Sequence, residues 1–195
     1  MEYAVHKLTY SEGRAYRYQV VDEAGRVQYL AEPTGLFLPD PTRQVTLFDA
    51  EGRALARLDP TPTPPWRWTR VYHLRLEGEE GVWATLEERW TLVDRILLRL
   101  PTYTVRFGQY VYRARLQRYG EPFGELIEPL PEEREAEPPP SEEEGSEPPG
   151  ERRVGEILRP SSGANYVIRV EAPSLRQAPL VLIALMALID LHRHE

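Results

Sequence analysis

The chain has 195 residues, a formal net charge of −7 and no cysteine. That length suits one domain, and the missing cysteine excludes disulfides, thiolate metal sites and a cysteine nucleophile. The first ten residues, MEYAVHKLTY, carry no basic stretch ahead of a long apolar core, so no secretory leader is expected and a cytoplasmic location is.

In chain order, a first strand is expected at Tyr3 to Tyr10. It contains Lys7, the only lysine. Tyr16-Arg17-Tyr18-Gln19-Val20 then alternates apolar and polar residues, the period of a half-buried strand. Asp22-Glu23-Ala24-Gly25-Arg26 separates it from Val27 to Ala31. Asp in the first position and Gly in the fourth predict a type I turn closed by a glycine of positive φ. The pattern recurs 27 residues later as Asp49-Ala50-Glu51-Gly52-Arg53, between Val45-Thr46-Leu47-Phe48 and Ala54 to Leu58. Two copies make a repeated hairpin rather than a solenoid. Further strands are expected at His73 to Leu76, Val82 to Leu86, Tyr103 to Phe107, Tyr110 to Tyr112 and Gly124 to Leu130.

Residues 131–151 hold nine Glu, one Arg and six Pro. Their net charge is −8, and removing it from −7 leaves +1 for everything else. Such a segment cannot bury enough apolar surface to offset the entropy of ordering, so a disordered acidic insertion is expected over 131–153. Val154 to Leu158 and Tyr166 to Val170 follow, joined across Pro160-Ser161-Ser162-Gly163. Closing about twelve such strands into an antiparallel barrel removes the edges that an open sheet would expose.

The last feature is APLVLIALMALI, followed by Asp190 and Leu191. Pro179 suits the first turn of a helix. Fourteen helical residues span roughly 21 Å, short of the ~30 Å of a bilayer core. A helix apolar on every side has to be surrounded by protein or lipid. The expectation is a single barrel domain, 1–195, mainly β, around a central hydrophobic helix at 178–191, with no transmembrane span.

The order of these elements resembles the LURF-one-related family, relatives of the tubby C-terminal domain and the phospholipid scramblases. The matching pieces are the strand Tyr3 to Tyr10, the paired hairpins YQVVDEAGRVQYLAE and QVTLFDAEGRALARL, the segment LPTYTVRFG, and the ending LVLIALMALIDLHRHE. The resemblance implies a twelve-stranded antiparallel barrel around a central helix and no catalytic residues. Members with known roles bind phosphoinositides or are linked to lipid movement. Nothing here matches the calcium-binding stretch of scramblases. The basic residues of the tubby phosphoinositide site have no counterpart position by position, so neither property transfers.

No phosphate-binding loop, nucleophile elbow or zinc-protease motif is present. No catalytic residue, cofactor or metal is assigned, and the chain is expected not to be an enzyme. His192 and His194 sit two apart, a spacing that does not face one helix side, and read as a solvated tail. Glu87 and Glu88 fall on opposite faces of a strand, which makes them poor acid–base partners.

The candidate ligand site is basic. Arg113 and Arg115 share one strand face. With Arg106 across the Gly108 hairpin and Arg118 downstream, they offer guanidinium forks to a phosphate or carboxylate. A solvated strand face, partly neutralised by the acidic segment, accounts for the same residues. Trp66, Trp68, Tyr103 and Tyr110 read as core aromatics, and a near-neutral body with an acidic arm argues against nucleic acid. The expected function is a non-enzymatic binding module for anionic phospholipid headgroups or another anionic ligand. The alternatives are a protein partner engaged by segment 131–151, or a membrane-anchored scramblase-like protein.

Overall fold

The computed structural model describes residues 1–9, 16–34, 43–62, 69–91, 100–117, 122–129 and 151–192. Within them lie twelve strands. They are β1 (Glu2–Thr9), β2 (Tyr16–Val21), β3 (Val27–Thr34), β4 (Gln44–Asp49), β5 (Ala54–Pro60) and β6 (Thr69–Leu76). There follow β7 (Ala84–Arg89), β8 (Thr102–Phe107), β9 (Tyr110–Leu116), β10 (Gly124–Pro129), β11 (Glu151–Leu158) and β12 (Tyr166–Val170). Two helices end the chain, α1 (Pro173–Arg176) and α2 (Pro179–His192). The strands form one closed antiparallel barrel in which each pairs with its sequence neighbours and β1 pairs with β12. The expected fold class is the one observed.

The repeated hairpin has the expected local chemistry. Gly25 and Gly52 take φ of 73° and 84°, and the carboxylates of Asp22 and Asp49 accept the backbone N–H of Arg26 and Arg53. Register slips by one residue beside each turn, at Val20/Val21 and Leu47/Phe48, as a bulge next to an αL glycine requires. The β2–β3, β4–β5, β6–β7 and β8–β9 turns gather at one end of the barrel, with the starts of β1 and β11. The opposite end carries the remaining connections and is called the loop end below.

One boundary differs from expectation. Residues 151–153, assigned to the disordered insertion, are the first residues of β11, where Glu151, Arg152 and Arg153 pair with Pro129, Glu128 and Ile127. Composition extends the acidic run too far because Arg152 and Arg153 meet Glu128 and Glu125 on β10, so strand pairing satisfies their charge. Residues 131–150 lie outside the described residues. Further along β11, a Cβ on Gly155 would sit 2.6 Å from the Arg169 carbonyl of β12, so this crossing of strands needs glycine.

Alternation sends one side chain in two into the lumen, and all twelve strands contribute to a single apolar cluster with α2. Inside a closed barrel the wall has already used its backbone hydrogen bonds. A segment threading the lumen has to satisfy its own N–H and C=O groups, which a helix does. Residues 181–191 of α2 are buried on every face, and the helix backbone approaches β3 and β4 most closely, where β3 presents the small Ala31. No helix among the described residues is long and apolar enough to cross a membrane. The observed start at Pro179 and end at His192 shift the expected span by one residue.

Eight large apolar side chains of α2 are buried, from Val181 to Leu191. At about 1.5–3 kcal/mol each, they match or exceed the ~5–15 kcal/mol net stability of a typical domain. Truncation after Gln177 is expected to give an aggregating chain without a cooperative thermal transition. A soluble truncation with a sharp calorimetric melt refutes the central role of the helix.

Candidate functional site

On β9 the pleat turns Tyr112 and Ala114 inward and Arg113 and Arg115 outward, as the period of two demands. Arg113 lies opposite Thr104 on β8, and Arg106, two residues further along β8, lies on the same outer face. The three arginines therefore share a wall but not a partner. Arg106 turns to Glu87 on β7, at 2.9 Å, and Arg89 reaches the other oxygen of that carboxylate at 2.7 Å. Arg89 and then Arg106 outweigh partial burial and hold Glu87 below the usual carboxylate range. Arg113 and Arg115 instead converge on a single oxygen, Oε1 of Glu151, at 3.3 and 2.6 Å. Arg118 lies outside the described residues.

Of the sequence-derived site, Arg113 and Arg115 stay together, joined by Glu151. Two guanidiniums, 43% and 44% exposed, share one carboxylate that is 8% exposed, so the group keeps a net positive charge. Each planar fork has five N–H donors, more than one carboxylate oxygen can accept. Two arginines on one carboxylate also occur elsewhere on the wall, at Glu87 and Asp59, while its other pairs are more evenly matched. Arg57 and Arg75 share Asp59, Arg153 meets Glu125 and Glu156, and Arg169 joins Glu156 to Glu2.

Sequence reasoning missed a second set of polar residues, inside the barrel at its loop end. Lys7 follows Tyr3 and Val5 on the inward face of β1 and lies opposite Tyr18 of β2. Its ammonium donates to Oδ2 of Asp190 at 2.8 Å, Tyr18 donates to the same oxygen at 2.7 Å, and Tyr166 donates to Oδ1 at 2.6 Å. Burial opposes the charge on Asp190, but Lys7, Tyr166 and Tyr18 outweigh it and hold the carboxyl below its usual range.

The other interior group centres on Glu88, which is fully buried. Arg43 donates to its Oε2 at 2.8 Å and to the Tyr72 hydroxyl at 3.0 Å, while Trp90 donates to Oε1 at 2.8 Å. Tyr72 and Tyr103 also donate to Oε2, at 3.3 and 3.5 Å. Burial, then the Glu88 charge, pushes the Tyr72 hydroxyl up to about 12 and raises Tyr103 well above 10. Glu87 and Glu88 do occupy opposite faces, so the expected separation of these carboxylates is observed.

Tyr103 is core, as expected, whereas Tyr110 is 38% exposed at the turn end of the barrel; it does not join the core because it is the first residue of β9, above the rim. Trp66, Trp68 and His194 lie outside the described residues, as does the side chain of His192. No cluster of three or more metal-ligating side chains occurs among the described residues. An open groove of about 400 Å³ runs beside Glu2, Asp22 and Glu23. Its carboxylates are engaged, Asp22 by Arg26 and Glu2 by Arg169.

Comparison with protein-family models, curated proteins and solved structures finds no match to this chain.

The interior groups predict opposite pH limbs. The folded pKa of Asp190 lies below the unfolded 3.8, so its stabilisation is complete above about pH 4 and is lost as pH falls through the folded value. Tyr72 is raised from 10.0 to about 12, so its contribution holds below pH 10 and is lost as pH rises to 12. Asp190→Asn is expected to cost roughly 3 kcal/mol at pH 7, because it leaves the largely covered Lys7 ammonium without its counter-charge. The variant should also show a flatter acid limb in thermal melts between pH 2 and 5. Arg43→Met should cost a similar amount, and Arg43→Met/Glu88→Leu should recover much of it, since an apolar pair often replaces a buried ion pair without loss. An additive double variant refutes the coupling.

Proposed function

We propose that the chain is a non-enzymatic binding module whose outer wall takes up an anionic group, a phosphate or a phospholipid headgroup, at Arg113 and Arg115. The observation that carries this reading is the convergence of both guanidiniums on one oxygen of Glu151. Glu151 occupies the position an anionic ligand takes, and an incoming phosphate accepts from both forks where one carboxylate oxygen now serves two. The interior offers less: α2 fills the lumen, and the buried polar side chains at the loop end are bonded to one another.

Co-sedimentation tests it. Vesicles containing phosphatidylserine are expected to sediment the full chain at low salt and to release it as salt rises. Arg113→Ala/Arg115→Ala should weaken binding about thirtyfold, from roughly 1 kcal/mol for each basic residue near an anionic surface. Competition by soluble pyrophosphate marks the phosphate itself as the determinant, and binding that resists it marks the lipid surface. Wild-type protein that stays in the supernatant at low salt, or a double variant that sediments equally well, refutes the proposal.

A further inference from the structure

At the turn end of the barrel, apolar side chains remain in solvent where the β6–β7 and β8–β9 hairpins meet. Val82 is 45% exposed and Tyr110 is 38% exposed. They are joined to the core by a run of rings. Trp83 lies 6.3 Å from Phe107 between centroids, and Phe107 lies 5.6 Å from Tyr110 and 5.8 Å from Tyr112. The Tyr112 hydroxyl is 2.5 Å from Ser174 of α1. The register explains the contiguity, since Ala84, next to Trp83, pairs with Phe107, and Phe107 pairs with Tyr110. Rings packed against one another in this way have few rotamers open to them. A partner that covers them loses little side-chain entropy on this side, as is typical of residues that dominate interface energies.

The charges beside this patch differ from those of the wall. On the wall, Glu87, Glu125, Glu128, Glu151 and Glu156 each face an arginine. On the neighbouring β2–β3 and β4–β5 turns, Asp22 and Asp49 are paired with Arg26 and Arg53. The β6–β7 turn carries Glu77, Glu79 and Glu80, all exposed, and none of the three is in an ion pair among the described residues. Three uncompensated carboxylates sit in the turn that delivers Val82 and Trp83. An anionic membrane or a nucleic acid is repelled by this combination, whereas an arginine or lysine is attracted both to the carboxylates and to the ring faces.

We propose that the rim of Val82, Trp83, Phe107 and Tyr110, with Glu77, Glu79 and Glu80 beside it, docks a cationic polypeptide segment in which arginine or lysine alternates with apolar side chains. The apolar residues cover Val82 and Tyr110. The cations pair with the three glutamates and lie against the exposed ring of Tyr110. The exposed area is small, so the contact belongs to the transient class of interfaces. The proposal stands apart from the Arg113–Arg115 wall and survives if that wall binds nothing.

The test is fluorescence anisotropy of a labelled synthetic peptide of repeating Arg-Leu-Gly units, with a Glu-Leu-Gly twin as control, titrated with the full chain. The arginine peptide is expected to bind and the glutamate twin not to bind. Tyr110→Ala should weaken binding about fivefold and Glu77→Gln/Glu79→Gln/Glu80→Gln about tenfold, in line with exposed cation–π and charge pairs. Both variants should keep the wild-type melting curve, since neither replaces a core residue. Because residues 131–150 are acidic themselves, a full-length variant with their glutamates changed to glutamine is titrated in parallel and should keep most of the affinity. Loss of binding in that variant, with wild-type titrations for both rim variants, overturns the proposal. So does sedimentation with neutral phosphatidylcholine vesicles that depends on Tyr110 while the arginine peptide fails to bind, which assigns the rim to a lipid surface.

Discussion

An apolar helix inside an apolar barrel is held in depth and rotation by side-chain shape alone, because sliding or turning it exchanges one hydrocarbon contact for another. Asp190 adds a directional constraint. Its position is unfavourable on two counts: the carboxylate is buried, and it lies in the last turn of a helix, where the macrodipole is negative. It is tolerated only where donors converge, and Lys7, Tyr18 and Tyr166 converge at one place in the lumen. The helix is therefore seated at one depth and one angle. A buried polar contact that selects one packing among many is the best-attested structural use of such groups.

The three donors come from β1, β2 and β12, so the same contact spans the seam where the first and last strands close the ring. Asn165, the only asparagine in the chain, reinforces it. Its side-chain oxygen accepts the Lys7 backbone N–H at 2.6 Å, and its own backbone N–H donates to Val5. Every one of these partners is distant in sequence from the other side of the seam. Such closure carries a large loop entropy before it returns any contact energy, which places it late in folding. Seating the helix and closing the seam are coupled, since Asp190 of α2 and Tyr166 of β12 meet Lys7 and Tyr18 in one contact.

What the chain discloses in advance follows from range. The two Asp-x-x-Gly-Arg turns are local, four or five residues deciding their own geometry, and both are found as expected. The helix is legible because twelve successive apolar residues leave no other way to satisfy a backbone away from water. Lys7, Arg43 and Glu88 are not legible as partners, because each meets its counter-charge only after the barrel closes. A signal does exist for Lys7 and for its partner Asp190. Lys7 holds the inward phase of Tyr3 and Val5, and Asp190 interrupts an otherwise unbroken apolar run; a charge in either place needs an interior partner. Glu88 leaves no such trace, because alternation separates it from Glu87 without saying which of two identical side chains faces the core. For the same reason alternation places Arg113 and Arg115 on one face, while composition puts Glu151, across β10, in the acidic insertion.

With the lumen occupied and its polar groups committed to structure, chemistry that varies without unfolding the barrel is confined to the outside, and there the charge is sorted by place. The wall around Arg113 and Arg115 is locally positive, and the rim at Glu77 to Glu80 is locally negative. Arg115 lies five residues along β9 from Tyr110, roughly 17 Å at ~3.3 Å per residue. That exceeds the ~8 Å Debye length at physiological salt. The two regions therefore present separate fields to solution rather than one averaged field, although the charges of the body sum to near zero. Net charge conceals this arrangement, and pairing strand by strand exposes it.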